Sequence, residues 1–151
     1  MAKARWGSEM EFVDGTGGYG AGVVDALIQA GHTPQEIHFS GEPVDKRYAN
    51  KRAEMWFSMA NWIKRGGSLP PMPEIVREFT APTYTFKNGR FLLEPKEQIK
   101  KRMGFSPDVA DALALTFAYP EMPTRNSIHA ALERQAGKMK SEWDPYAEDR
   151  M

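Results

Sequence analysis

Cysteine is absent from the 151 residues. That absence excludes disulfides, thiolate zinc sites and cysteine nucleophiles, and it fits a reducing compartment. Histidine is nearly as scarce: His32, His38 and His129 are scattered along the chain, which argues against a histidine-rich metal centre. Neither sign of charge dominates, since Lys+Arg and Asp+Glu both number 20 and the formal net charge is zero. Bulk electrostatics therefore draws the chain to neither nucleic acid nor a membrane surface, and any DNA affinity has to come from local clusters. No run approaches the ~20 apolar residues of a membrane span. Met1-Ala2-Lys3-Ala4-Arg5-Trp6-Gly7 lacks the apolar stretch of a signal peptide. There is no G-x-x-x-x-G-K-[ST] loop, so a phosphate-loop ATPase motor is excluded. The expectation is a soluble, cytoplasmic chain with no membrane partner. One domain over residues 1–120, large enough to bury a core, is followed by a polar extension over 121–151.

What is present begins with Glu11-Phe12-Val13-Asp14, which reads as a short strand ending in an acid. Gly15-Thr16-Gly17-Gly18-Tyr19-Gly20 follows as a turn. A helix over 21–30 is expected next, with Val23, Val24, Leu27 and Ile28 inward and Gly31 closing it. Glu36 to Phe39 reads as a second strand, completing a βαβ-like unit. The longest helix is expected from about Asp45 to Arg65, because Tyr48, Arg52, Met55, Trp56, Met59, Trp62 and Ile63 recur at spacings of three and four. A short helix starts at Pro73. Thr83–Lys87 and Arg90–Glu94, joined by Asn88-Gly89, carry the signature of a type I′ hairpin. Lys96–Met103 reads as a basic helix. Beyond Pro120 the composition turns polar, with an exposed helix expected near 125–140 and a frayed tail at 141–151.

Three groups of residues invite chemistry. Ser106-Pro107 looks like an N-cap followed by proline at the first helical position. The apolar run behind it predicts a helix buried nearly all round. Asp108 and Asp111, three apart, project from one side of its first turn. They either serve the helix dipole or hold a metal. Asp14 either caps its own turn or stands as a ligand where glycines let phosphates approach. Gly15, Gly17 and Gly20 also fit G-x-G-x-x-G, with Glu42 about twenty residues on, so dinucleotide binding is a rival reading. Two basic clusters, Lys46, Arg47, Lys51 and Arg52, and Lys96, Lys100, Lys101 and Arg102, are either solvated helix faces or seats for a phosphodiester backbone.

Taken in order, five segments resemble a known family: Val13-Asp14-Gly15-Thr16-Gly17 with Gly20 to Asp25, Tyr48 to Trp56, Leu93-Glu94-Pro95-Lys96 with Lys101-Arg102, Ser106-Pro107-Asp108 with Asp111-Ala112-Leu113, and Thr116-Phe117-Ala118. They resemble the C-terminal nuclease domain of large terminase subunits of tailed bacteriophages, over roughly residues 11–120. The resemblance implies a ribonuclease H-like α/β fold, a mixed sheet flanked by helices. It implies a two-metal site for Mg²⁺ or Mn²⁺ that cuts concatemeric double-stranded viral DNA during packaging. Oxygen-only ligands suit those ions in a chain without cysteine. Two such metals activate a water and stabilise the leaving oxygen of a phosphodiester. By motif, Asp14 matches the family's second metal carboxylate, Asp108 the third, and Asp111 an auxiliary acid. Asn50, Lys51 and Arg52 match a signature without an assigned role. Implied partners are the DNA, the terminase ATPase domain, the small terminase subunit and the portal, in the cytoplasm of a bacterial host carrying a phage or prophage.

The family's first catalytic Asp belongs to an earlier strand, whereas thirteen residues precede Asp14. Glu11 is no substitute, because three positions away on a strand it points to the opposite face. The expectation is a domain lacking its first strands, with an exposed pairing edge. A catalytically incomplete DNA-binding or packaging-complex module is the alternative to an active nuclease.

Overall fold

Short apolar runs broken by Gly, Pro and Asn dictate short elements, and the computed structural model is built from them. It describes residues 10–18 and 20–119. The readings made for 121–151 lie outside the described residues.

Strand β1 (Phe12–Asp14) runs parallel to β2 (Gln35–Ile37), with Phe12 opposite Gln35 and Asp14 opposite Ile37. A tight turn at Thr16–Gly18 leads into helix α1 (Ala21–Gln29). This is the β–turn–α–β unit expected, and Gly31 closes α1 at φ +82°, a conformation glycine adopts without strain. Two details differ. β2 stops before Phe39, whose amide donates to Thr16 Oγ1 at 3.0 Å and whose carbonyl accepts from Arg52 N at 3.0 Å, so its backbone is spent outside the ladder. The apolar side of α1 turns inward only in part, at the half-buried Val24 and Leu27. No residue of α1 is buried, and Val23 and Ile28 are 53% and 56% exposed, because a sheet of two strands is too narrow to cover a helix face.

Helix α2 (Lys51–Lys64) starts six residues later than its apolar spacing suggests. Asn50 sits extended at φ −155°, and its side chain accepts from Ala53 N at 2.9 Å, a standard N-cap. The residues before it are tied elsewhere, since Phe91 N donates to Arg47 O and Ala49 N to Phe91 O, both at 2.8 Å. Strands β3 (Tyr84–Lys87) and β4 (Arg90–Leu93) pair antiparallel around Asn88 (φ 51°) and Gly89 (φ 74°), the positive-φ pair that a type I′ turn requires. Among the described residues the strands form, instead of one mixed sheet, two separate two-stranded sheets, one parallel and one antiparallel, and an isolated parallel bridge joins Tyr48 to Phe91. Helices α3 (Pro73–Thr80), α4 (Lys96–Met103) and α5 (Asp108–Leu115) complete the described chain. None of the described helices is long and apolar enough to cross a membrane.

The core forms where α2 packs on α5 and β4, while α3 and β1 close against α5. Met55, Trp56 and Met59 of α2 meet Ile37, Phe39, Tyr48, Leu93 and Leu115. Full burial of each such side chain stabilises the fold by about 1.5–3 kcal/mol. Ala110 and Ala114, both fully buried, let α5 approach α2 closely.

Helix α5 corrects two expectations. It is buried on one side only, through Ala110, Asp111, Ala114 and Leu115, with Val109 and Ala112 exposed. Ser106 is not its cap: the helix begins at Asp108, and the Ser106 hydroxyl donates to Asp108 Oδ1 at 2.7 Å. The free amides of Val109 and Ala110 donate instead to Glu78 Oε2 of α3, at 2.8 and 3.1 Å. A carboxylate 31 residues away in sequence therefore does the capping. Glu78→Ala should lower unfolding free energy by about 1–2 kcal/mol in urea titration, and Ser106→Ala by less than about 0.5 kcal/mol; equal losses would show that the cap is local.

Candidate active site

Asp111 is the most deeply placed acid of the three singled out in the sequence. Its side chain is 4% exposed. Oδ1 accepts from Trp56 Nε1 at 2.6 Å and from Arg52 Nε at 3.1 Å, and Oδ2 lies 2.9 Å from Lys96 Nζ. That last contact is one of charge rather than a directed hydrogen bond, and Oδ2 otherwise has no hydrogen-bond partner. A buried carboxylate demands this company, since an unpaired charge there would cost several kcal/mol. Asp111 thus joins the starts of α2, α4 and α5. Trp56 was legible in the sequence only as a core residue, yet its indole N–H needs a buried acceptor, and the acceptor is this acid.

Asp108 is opposite in character. Its side chain is 74% exposed, 3.7 Å from the same Lys96 ammonium. Lys96 stands between the two acids of α5 with its Nζ 5.3 Å from the centre of the Phe39 ring, so it neutralises a doubly acidic turn. Asp14 ends β1, half-buried, with Oδ1 accepting from Thr16 N at 2.9 Å. A run of hydrogen bonds connects its turn to Asp111: Thr16 N to Asp14, Phe39 N to Thr16 Oγ1, Arg52 N to Phe39 O, and Arg52 Nε to Asp111. The structure therefore brings Asp108 and Asp111 together around one lysine and sets Asp14 at the end of the strand packed on their helix.

The glycines have structural reasons. A Cβ at Gly15 would strike the Glu36 side chain, and one at Gly20 the Asp14 carbonyl. Close backbone approach explains both without a pyrophosphate, and the Thr16 amide is already engaged by Asp14.

The basic residues divide. Lys51 and Arg52 point inward. Lys51 Nζ pairs with Glu54 Oε2 at 2.7 Å, and Arg52 holds Asp111 and the Glu94 carbonyl (2.8 Å). Burial pushes the Glu54 carboxyl up, but Lys51 and the amides of Asp45 and Val44 outweigh it and hold it below its ordinary value. The remaining cations face outward: Lys46 beside Glu42 at 3.1 Å, Arg47 forked onto Asp45 at 2.6 Å, and Lys100 and Lys101 exposed on α4. Arg102 grips Glu94 at 2.6 Å and the Ala81 carbonyl at 2.7 Å. The Arg102 guanidinium, with help from Thr83, pulls the Glu94 carboxyl from 4.5 down to about 2. Glu94 thereby anchors the chain two residues before Lys96.

Carboxylate oxygens are the right donors for Mg²⁺ or Mn²⁺. Their number falls short, because no three acids or histidines among the described residues stand together as a metal-holding group. Asp111 is committed to three cationic or indole donors, and Lys96 already supplies positive charge to Asp108. The described residues do not by themselves complete a metal site.

This arrangement of elements has known counterparts. The fold is shared with a nuclease domain of a phage large terminase subunit. The nuclease domain of the large terminase subunit gp2 of bacterial virus Sf6 matches with a TM-score of 0.63 and 22% identity, covering 80% of this chain and 69% of that one. A lysine-to-alanine mutant of that domain solved with manganese matches at TM-score 0.62 and 21% identity, covering 80% and 70%. A form solved with calcium matches at TM-score 0.62 and 22% identity, covering 80% and 69%. At such identities the likeness establishes the fold. No protein-family model and no curated protein matches the sequence.

Two outcomes follow for stability. Asp111→Asn should cost about 3–5 kcal/mol by stranding buried cations, and Asp108→Asn less than about 0.5 kcal/mol, both read by urea titration. Glu94 has a depressed folded pKa, so its contribution is present above 4.5 and is lost as pH falls toward about 2. Glu94→Gln should therefore flatten the acid limb of the melting-temperature profile in that window and lower stability at pH 7.

Proposed function

We propose that this chain is a DNA-cutting domain of the terminase type, acting on concatemeric double-stranded DNA during viral packaging. The observation that carries the proposal is the packing of β1, the strand that ends at Asp14, against α5, the helix that carries Asp108 and Asp111, within a fold shared with a terminase nuclease domain. In this reading Asp14 and Asp108 are ligands for Mg²⁺ or Mn²⁺, completed by a further carboxylate from outside the described residues. Such ions supply the activated water and the stabilised leaving oxygen. The chain's own contributions are positional. Asp111 holds Arg52, Trp56 and Lys96 so that the α5 start cannot drift. Lys96 orients Asp108. Lys46, Arg47, Lys100 and Lys101 offer outward charge to the phosphate backbone, which carries no sequence information. Partners in this reading are the terminase ATPase domain, the small terminase subunit and the portal, in the cytoplasm of a bacterial host.

A second reading is favoured by a specific observation. With Asp111 paired to Arg52, Trp56 and Lys96 and no three-acid group among the described residues, the chain serves as a DNA-binding or packaging-complex module that performs no chemistry. Supercoiled plasmid incubated with the chain and Mn²⁺ separates the two. The nuclease predicts nicking that is abolished by Asp14→Asn or by Asp108→Asn, each still folded by circular dichroism. Intact plasmid from the wild-type chain, or wild-type nicking by either variant, would reject it in favour of the module.

A further inference from the structure

The β3–β4 hairpin carries an arrangement that folding alone does not reward. Lys87 and Arg90 are directly opposite each other across the strands, and like charges so placed are destabilising. Both are exposed, and among the described residues neither has an acidic partner. The opposite face of the hairpin supplies the packing. Tyr84, Phe86 and Phe91 stack on one another and, through Phe57 and Tyr48, on the start of α2, at centroid distances from 4.6 to 6.3 Å. The charged face is thus free to do something else.

That face lines a cleft of about 520 Å³, whose other wall is Ser40, Ala49 and Asn50. Each of its polar side chains can present a donor. Asn50 Oδ1 is committed to Ala53 N, which leaves the amide NH₂ as its free end. The Ser40 hydroxyl, the Asn88 amide, the Lys87 ammonium and the Arg90 guanidinium add further donors, and no carboxylate lines the cleft. A concave surface of donors with two uncompensated cations is complementary to a tetrahedral oxyanion, and the planar Arg90 fork suits a phosphate bidentately.

We propose that this cleft seats a backbone phosphate of duplex DNA, a contact separate from the basic residues of α4 and the 46–47 segment. The proposal rests on the nuclease reading for its choice of DNA over an acidic protein. The cost of opposing Lys87 to Arg90 is recovered when a phosphate enters between them.

Fluorescence anisotropy of the full chain with a labelled 30-base-pair duplex, titrated across salt concentrations, tests it. Replacing both residues (Lys87→Ala with Arg90→Ala) should remove about two phosphate contacts, lowering the slope of log affinity against log salt by about 2 and weakening binding about tenfold. The double variant should melt no lower than wild type, because a repulsive pair has been removed. Wild-type affinity and slope in the double variant would overturn the cleft assignment while leaving the nuclease reading intact. A lower melting temperature together with reduced binding would also overturn it, since the loss would then be structural. A wild-type chain that binds labelled polyglutamate but no duplex would overturn the choice of DNA, and the nuclease reading with it.

Discussion

A single buried carboxylate organises this domain. Asp111 lies inside the contact between α2 and α5, where water cannot solvate it, so its charge has to be met by donors brought from other elements. Arg52 and Trp56 come from the first turns of α2 and Lys96 from the first residue of α4. The three helix starts are locked to one another by that requirement. Removing one member strands the others. The geometry around Asp108 follows from it, because Lys96 cannot satisfy Asp111 without also standing beside Asp108.

The same constraint accounts for the division of labour among the charges. Cations expected at the surface, Lys51 and Arg52, are consumed inside, and Glu94 and Arg102 brace the entry to α4. Outward cations without an acidic partner include Lys100 and Lys101 on α4 and Lys87 and Arg90 on the hairpin, while Lys46 and Arg47 stand beside Glu42 and Asp45. An inward acid paired to an inward base leaves the exposed balance to whichever charges the core did not take.

Most of the local architecture could be read from a few adjacent residues. The Asn88-Gly89 turn, the closure of α1 at Gly31, the span of α4 and the parallel βαβ opening each depend on backbone dihedrals or short periodicities. The misreadings have tertiary causes. Ser106 resembles a cap, but Glu78 reached the amides first. The spacing from Tyr48 onward resembles a helix, but the backbone at Arg47 and Ala49 is bonded to Phe91. The apolar residues of α1 resemble a core face, but the two-stranded sheet offers them no cover. In the first two cases a local preference worth about a kcal/mol was outweighed by a partner supplied from elsewhere in the chain; in the third the expected partner surface is too narrow.

The sequence by itself determined which residue types are present for chemistry, oxygen donors and cations without thiols, and where the short elements begin to turn, because both are written in composition and in nearest-neighbour sterics. It also marked Asp14, Asp108 and Asp111 as acids at element ends. Only the tertiary structure decided which acid is buried and which exposed, and which lysines point inward. It alone matched Trp56 and Arg52 to Asp111, more than fifty residues further along the chain. Charge partners are chosen by distance and by exclusion of water, and neither quantity exists until the helices have packed.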